Sequence, residues 1–287
     1  MSSRKIAKNT LFQIIGKVVT AGTTLVVTML VTRRFGPGGY GDYMIMVAFP
    51  GFFWIIVDFG FNAAAVREIV KDGNRARDYL GNLILVRLAL AAVLTLLAGL
   101  VLKFLPYSPI VKLGITLNFI SIFAYALFFS ANAIFQSQLR YDLSARAVGS
   151  GALLSLALVG ASLLLGQGPL ALIGALVAGN LVMAGVALYQ ACRLVGLRRI
   201  DLDRKLVKSL VLATLPVGLA IIFNLLDFKI DSFMLSVLPL PRRLGLSNRA
   251  TVGIYAAPFK ILEVVLVLPT FFMNAVYPIL VTRLDRP

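Results

Sequence analysis

Eight ionisable side chains sit inside long apolar stretches of this sequence. They are the cations Lys17, Arg87, Lys229 and Lys260 and the acids Asp58, Asp227, Asp231 and Glu263. A charge at the centre of a membrane helix costs roughly 2.5–3.5 kcal/mol on insertion scales, so each should face protein or water rather than lipid. Two chemistries satisfy that demand: ion pairs between helices, or the wall of a water-filled passage. Lys17 lies about eight residues, ~12 Å, beyond the start of its apolar run, and Arg87 lies at a similar depth in its own. Asp58 falls one turn after Trp54 and one turn before Asn62. These depths predict that Lys17, Arg87 and Asp58 meet in one cluster. Lys17 also belongs to a stripe, Asn9, Gln13, Lys17, Thr20, Thr24 and Thr28, whose steps of three and four share one helix face. A polar face of that length suits an aqueous lumen, and hydrogen bonding between helices by threonine is the alternative.

Other polar groups recur at helical spacing. Asn118, Ser121, Tyr125, Asn132, Gln136 and Arg140 form a second stripe, interrupted by Phe128 and Phe129. Asn224, Asp227 and Asp231 share a face from which Lys229 points away. Lys260 and Glu263, three residues apart, are placed to pair on one surface. Pro216, Pro258 and Pro269 lie inside apolar runs, where each removes a backbone donor and kinks its helix, as a hinge or as a static bend.

The elements that carry these residues follow from composition. The chain has 287 residues, 59% of them hydrophobic, and a mean hydropathy of +0.91. Soluble domains lie nearer 45–50% apolar. The apolar runs are about twice the length of a barrel strand and do not alternate, which excludes a membrane β-barrel. We expect an all-α, polytopic membrane bundle of eight spans. They fall near 9–32, 42–65, 80–102, 110–136, 145–165, 170–193, 207–237 and 253–281, each long enough for ~30 Å of hydrocarbon. The first run is too long for a signal peptide, contains Gln13 and Lys17, and has no cleavage site.

The net charge is +16. The basic residues lie in the connections between apolar runs, which points to topology and anionic membrane lipid, not to nucleic acid. With the N-terminus in the cytoplasm, inner segments hold 17 Lys and Arg and outer turns hold 7. That asymmetry predicts a multi-pass protein of the cell membrane with a cytoplasmic N-terminus. There is no His, and Cys192 is the one cysteine. A disulfide framework, a Cys/His metal site and His-based catalysis are thereby excluded. The GPGGYG stretch from Gly36 lacks the Lys-Ser/Thr ending of a phosphate loop and follows no strand, so it reads as a turn between membrane helices. We expect no enzyme, no catalytic residue, no metal and no cofactor. With no ATPase module, active transport would draw on an ion gradient or on the substrate's own free energy.

The stretch from Arg33 to Asp72 returns faintly 212 positions later. Gly41, Tyr43 and Asn62 match Gly253, Tyr255 and Asn274. The two copies lie six spans apart, so both run in the same direction, and the repeat is parallel about an axis along the membrane normal. The basic linker Gly196 to Lys208 then separates a six-helix lobe, residues 1–206, from an incomplete second lobe, residues 207–287. Two helices where the first lobe has six suggest a piece of a longer transporter.

RRFGPGGYGDY followed by DFGFNAAAVREI resembles the first hairpin of the polysaccharide (O-antigen type) flippases. LPVGLAIIFNLLDFKIDSFMLS and VGIYAAPFKILEVVLVLPTFFMNAVYPIL resemble the opening of their second lobe. These flippases belong to the multidrug/oligosaccharidyl-lipid/polysaccharide exporter superfamily. The resemblance implies two lobes around a central cavity, and export of a polyprenyl-pyrophosphate-linked oligosaccharide to the outer leaflet for cell-surface polysaccharide synthesis. It further implies a coupling ion, H+ or Na+, and a polysaccharide polymerase and glycosyltransferases as partners. On that reading Arg87 and Lys17 meet the anionic head group from the inside and Lys260 and Lys229 from the outside. Asp58 and Asp231 orient these cations or bind the ion, Asn9, Gln13 and Asn62 contact sugar hydroxyls, and Glu263 stands beside Lys260. The alternatives are an ion-coupled drug or cation antiporter of the same superfamily, and a truncated remnant that does not transport.

Overall fold

A computed structural model describes residues 3–71, 75–196, 202–238 and 246–265. Nine helices occur among them: α1 (Ser3–Asp58), α2 (Phe61–Lys71), α3 (Ala76–Phe104), α4 (Pro109–Asn118), α5 (Ile120–Ser137), α6 (Tyr141–Leu164), α7 (Pro169–Val195), α8 (Arg204–Val237) and α9 (Asn248–Val265). The polytopic helical bundle is therefore the observed fold. Among the described residues five stretches are long and apolar enough to cross a membrane: Val18–Lys71, Ala76–Phe104, Pro109–Ser137, Tyr141–Leu164 and Pro169–Val195. Large apolar side chains such as Leu96, Phe104 and Leu164 lie on the outside, as a lipid-solvated surface permits.

The first of these stretches has 54 residues, about 80 Å if straight and more than twice a bilayer core. It reverses instead. Gly36 adopts φ 64 and ψ −174, a conformation that glycine reaches without a Cβ clash, inside what is otherwise one run of helix. The Tyr40 hydroxyl then reaches Thr28 Oγ1 at 3.5 Å, across a separation that would be about 18 Å along a straight helix. The turn expected over residues 33–41 is thus confined to a break at one residue.

A second break corrects the expected span 42–65. The helix stops at Asp58, Phe59 and Gly60 take positive φ (42 and 77), and α2 restarts at Phe61. In the span expected over 110–136, α4 and α5 meet at Phe119, whose helical φ of −59 keeps the two nearly continuous. Beyond α7, Gly196 ends the helix in the left-handed region. The Asp203 carboxylate caps α8 by accepting from the backbone N–H groups of Lys205 and Leu206 at 2.9 and 3.0 Å. Pro216 and Pro258 lie within α8 and α9, and Pro269 lies outside the described residues.

The core is divided along the bundle. One apolar cluster gathers Val31, Tyr40, Met46, Ile115 and Leu172. The other gathers Leu80, Leu83, Ile134, Phe135 and Ala187 from the opposite ends of the helices. Small residues let α6 and α7 approach closely. A Cβ on Gly151 would meet the Gly179 carbonyl oxygen at 2.6 Å, and one on Gly179 would meet the Gly151 oxygen at the same distance.

Candidate translocation cavity

Both halves of α1, with α5, α6, α7 and α9, line a cavity of about 280 Å³. One wall is the threonine stripe Thr20, Thr24 and Thr28. Thr20 and Thr24 return their hydroxyl protons to the carbonyls of Gly16 and Thr20, both at 2.9 Å, which satisfies them inside their own helix. Tyr43, Trp54 and Tyr125 form an aromatic wall, with Trp54 and Tyr125 ring centroids 4.3 Å apart. Ser155 and Asn180 supply polar groups from α6 and α7, and Lys260 of α9 supplies a cation. Among the described lining residues there is no carboxylate.

Of the residues expected to line a passage, Lys260 does so. Arg87, Asp58 and Asn62 instead meet one another behind that wall. Arg87 has no exposed surface and donates from Nη2 to Asp58 Oδ1 at 2.6 Å and to Asn62 Oδ1 at 3.1 Å. Its Nη1 donates to Ser130 Oγ at 3.3 Å, and the guanidinium lies 5.7 Å from the Phe61 ring centroid. Asp58 and Asn62, four residues apart, reach this one group from either side of the Phe59–Gly60 break. Arg87, expected to meet the anionic head group, does not line this cavity, and its guanidinium joins α3 to residues of α1, α2 and α5. The reason is desolvation, since a guanidinium sealed at this depth needs its compensating acceptors from the protein.

Asp231 is exposed and accepts from the Tyr255 hydroxyl at 2.7 Å, and it does not line the cavity. The side chains of Asn9, Gln13, Lys17, Asn224, Asp227, Lys229 and Glu263 lie outside the described residues, as does Asn274. In the second polar stripe, Asn118 and Ser121 are fully buried. Asn118 Nδ2 donates to the Met46 carbonyl at 3.0 Å, Ser121 donates to Asn118 Oδ1 at 2.7 Å, and Asn180 Nδ2 donates to Ser121 Oγ at 3.0 Å. This chain links the buried interior to the cavity wall. Sequence reasoning missed Asn180 and Ser155. A lone Asn in the middle of an apolar run, and Ser155 one turn from Gly151, were the available signals.

Helices α1 and α9 pack closely on each other. A Cβ on Gly41 would strike the Arg249 carbonyl, and a Cβ on Gly253 would strike the Pro37 carbonyl. Gly41 and Gly253 are 212 residues apart, and so are Pro37 and Arg249, so the crossing is reciprocal between the two copies of the repeat. Beside it Arg249 makes a two-pronged ion pair with the buried Asp42. Tyr107, between α3 and α4, bonds Ser236 of α8 at 2.6 Å, and burial pushes its phenol above the ordinary value.

This all-helical, polytopic bundle is a fold that solved structures share. The multidrug transporter DinF-BH, of the MATE type, superposes with a TM-score of 0.66 at 19% identity, covering 97% of this chain and 65% of that one. A MOP superfamily transporter from Pyrococcus furiosus, whose binding pocket has reversed polarity, gives 0.61 at 18% identity over 81% of this chain and 54% of that one. The eukaryotic MATE transporter AtDTX14 gives 0.54 at 16% identity over 91% and 63%. The chain thus spans less than two thirds of the length of these structures. No curated protein sequence matches it. Residues 6–282 match the family described as polysaccharide biosynthesis protein, and the chain belongs to that family.

Proposed function

We propose that this chain forms the substrate-facing part of a flippase that moves polyprenyl-pyrophosphate-linked oligosaccharide from the cytoplasmic to the outer leaflet. The observation that carries the proposal is the make-up of the cavity. Its described wall is largely aliphatic and aromatic, and its polar groups are hydroxyls, an amide and the ammonium of Lys260, with no described carboxylate. Hydroxyl and amide groups suit sugar, aromatic faces suit the apolar faces of sugar rings, and a cation offsets the desolvation of a pyrophosphate. Membership of a polysaccharide biosynthesis family supports the same cargo.

In this reading residues 1–206 form the first lobe and residues 207–287 begin the second. The reciprocal Gly41/Gly253 crossing supports that division. The lobes rock about the crossing to open the cavity to alternate sides. The excess of Lys and Arg on one set of connections supports a cytoplasmic N-terminus in the cell membrane. A coupling ion, H+ or Na+, would supply the driving force, and a polymerase and glycosyltransferases would act before and after the flip.

The competing reading, export of cationic drugs, draws on the DinF-BH fold, but a cavity with a cation and no described carboxylate is a poor host for a cationic cargo. The test is reconstitution of the chain in vesicles with a fluorescent polyprenyl-pyrophosphate sugar, in parallel with a cationic dye. Translocation of the lipid-linked sugar and not of the dye is expected. Dye transport without sugar transport would replace this function with the antiporter.

A further inference from the structure

The helices α3 and α4 part on the outside of the bundle and leave a groove of about 700 Å³, remote from the cavity. Its floor and sides are apolar, from Leu96, Gly99 and Leu100 of α3 to Phe119 below α4. Its mouth carries two ammonium groups, Lys103 at the end of α3 and Lys112 one turn into α4. Lys112 Nζ donates one proton to the Lys103 carbonyl at 3.2 Å, which holds it across the gap between the helices. Among the described residues neither lysine is paired with a carboxylate. Deeper in the groove the Thr95 hydroxyl oxygen is buried without a hydrogen-bond partner.

We propose that this groove is a binding site for an anionic phospholipid. The phosphate sits between Lys103 and Lys112, and one acyl chain lies along Leu100, Gly99 and Leu96. The charge complementarity selects the occupant. Two unpaired cations at the end of an apolar trough match a molecule with a phosphate at one end and a hydrocarbon tail at the other. From Lys103 to Thr95 is eight residues of helix, about 12 Å, which carries the trough well below headgroup depth. Gly99 keeps it open: a Cβ built there meets nothing within 4 Å, so the space beside it belongs to the groove. The groove shares no lining residue with the cavity, so the site is independent of substrate export.

Native mass spectrometry of the purified protein tests the proposal, with phosphatidylglycerol, phosphatidylcholine or a polyprenyl pyrophosphate titrated into detergent. Phosphatidylglycerol should be retained in preference to phosphatidylcholine. Lys103→Ala with Lys112→Ala should weaken its retention about 25-fold, from ~1 kcal/mol for each lysine facing anionic lipid. Gly99→Phe should block retention by filling the trough while leaving both lysines in place. Equal retention of the two phospholipids, or retention unchanged in both variants, would overturn the site. Displacement of phosphatidylglycerol by equimolar polyprenyl pyrophosphate would also overturn it, by assigning the groove to the cargo.

Discussion

Gly41 and Gly253 face one another across the crossing of α1 and α9, each pressed against a backbone carbonyl of the other helix. Their partners, Arg249 and Pro37, obey the same 212-residue offset as the glycines themselves. A repeat that is faint in sequence is therefore a contact in space. The bundle uses one short motif twice, so that its two copies pack on each other where only hydrogen side chains fit.

Substituting either glycine should force the helices apart. Gly41→Ala and Gly253→Ala are each expected to destabilise the protein by about 1–3 kcal/mol, the usual cost of overpacking a tight contact. Gly38→Ala, where an added methyl meets nothing within 4 Å, should be close to neutral. Thermal unfolding in detergent measures all three, and an equal shift at Gly38 would remove the special status of the crossing.

The Asp42–Arg249 pair predicts an asymmetry. Asp42 is 6% exposed and Arg249 54%. Removing Arg249 strands a buried carboxylate, whereas removing Asp42 leaves a cation that water can reach. Arg249→Ala should therefore lower the melting temperature more than Asp42→Ala. The reverse order would show that the carboxylate is satisfied without its partner.

Arg87 should behave as a structural anchor. Its guanidinium is sealed among Asp58, Asn62 and Ser130. Arg87→Ala and Asp58→Ala are each expected to cost about 3–5 kcal/mol, the range for breaking a buried pair. The double variant should cost less than the sum of the two. A double-mutant cycle by chemical or thermal unfolding reads the coupling, and additive losses would separate the two residues energetically.

Lys260 is the described cation on the cavity wall, so transport of an anionic head group should depend on it. Lys260→Ala is expected to slow flipping roughly ten- to hundred-fold, the equivalent of one charge-assisted hydrogen bond of about 1.5–3 kcal/mol. Lys260→Arg should retain most activity, and Lys260→Glu should abolish it with the fold intact by circular dichroism. Unchanged flipping in Lys260→Glu would move the head-group site elsewhere.

The sequence by itself determined that this chain is a membrane helical bundle. Runs of apolar residues longer than a bilayer is thick admit few other folds, because in hydrocarbon each backbone group must be bonded within its own helix. The meeting of Asp58 with Arg87 was also legible, because hydropathy fixes depth; the Lys17 side chain expected beside them lies outside the described residues, and Asn62 and Ser130 join the pair. Which face meets which neighbour was not legible. Depth along the membrane normal leaves rotation about the helix axis and the choice of partner helix open, and these are settled by packing. Packing buried Arg87 against Asp58, Asn62 and Ser130, brought Lys260 and Asn180 to the cavity, and confined the reversal of α1 to Gly36. The breaks at Gly36 and Phe59 are tertiary features too: the first folds α1 back so that Tyr40 reaches Thr28, and the second hands the chain to α2, which packs on α5 and α8.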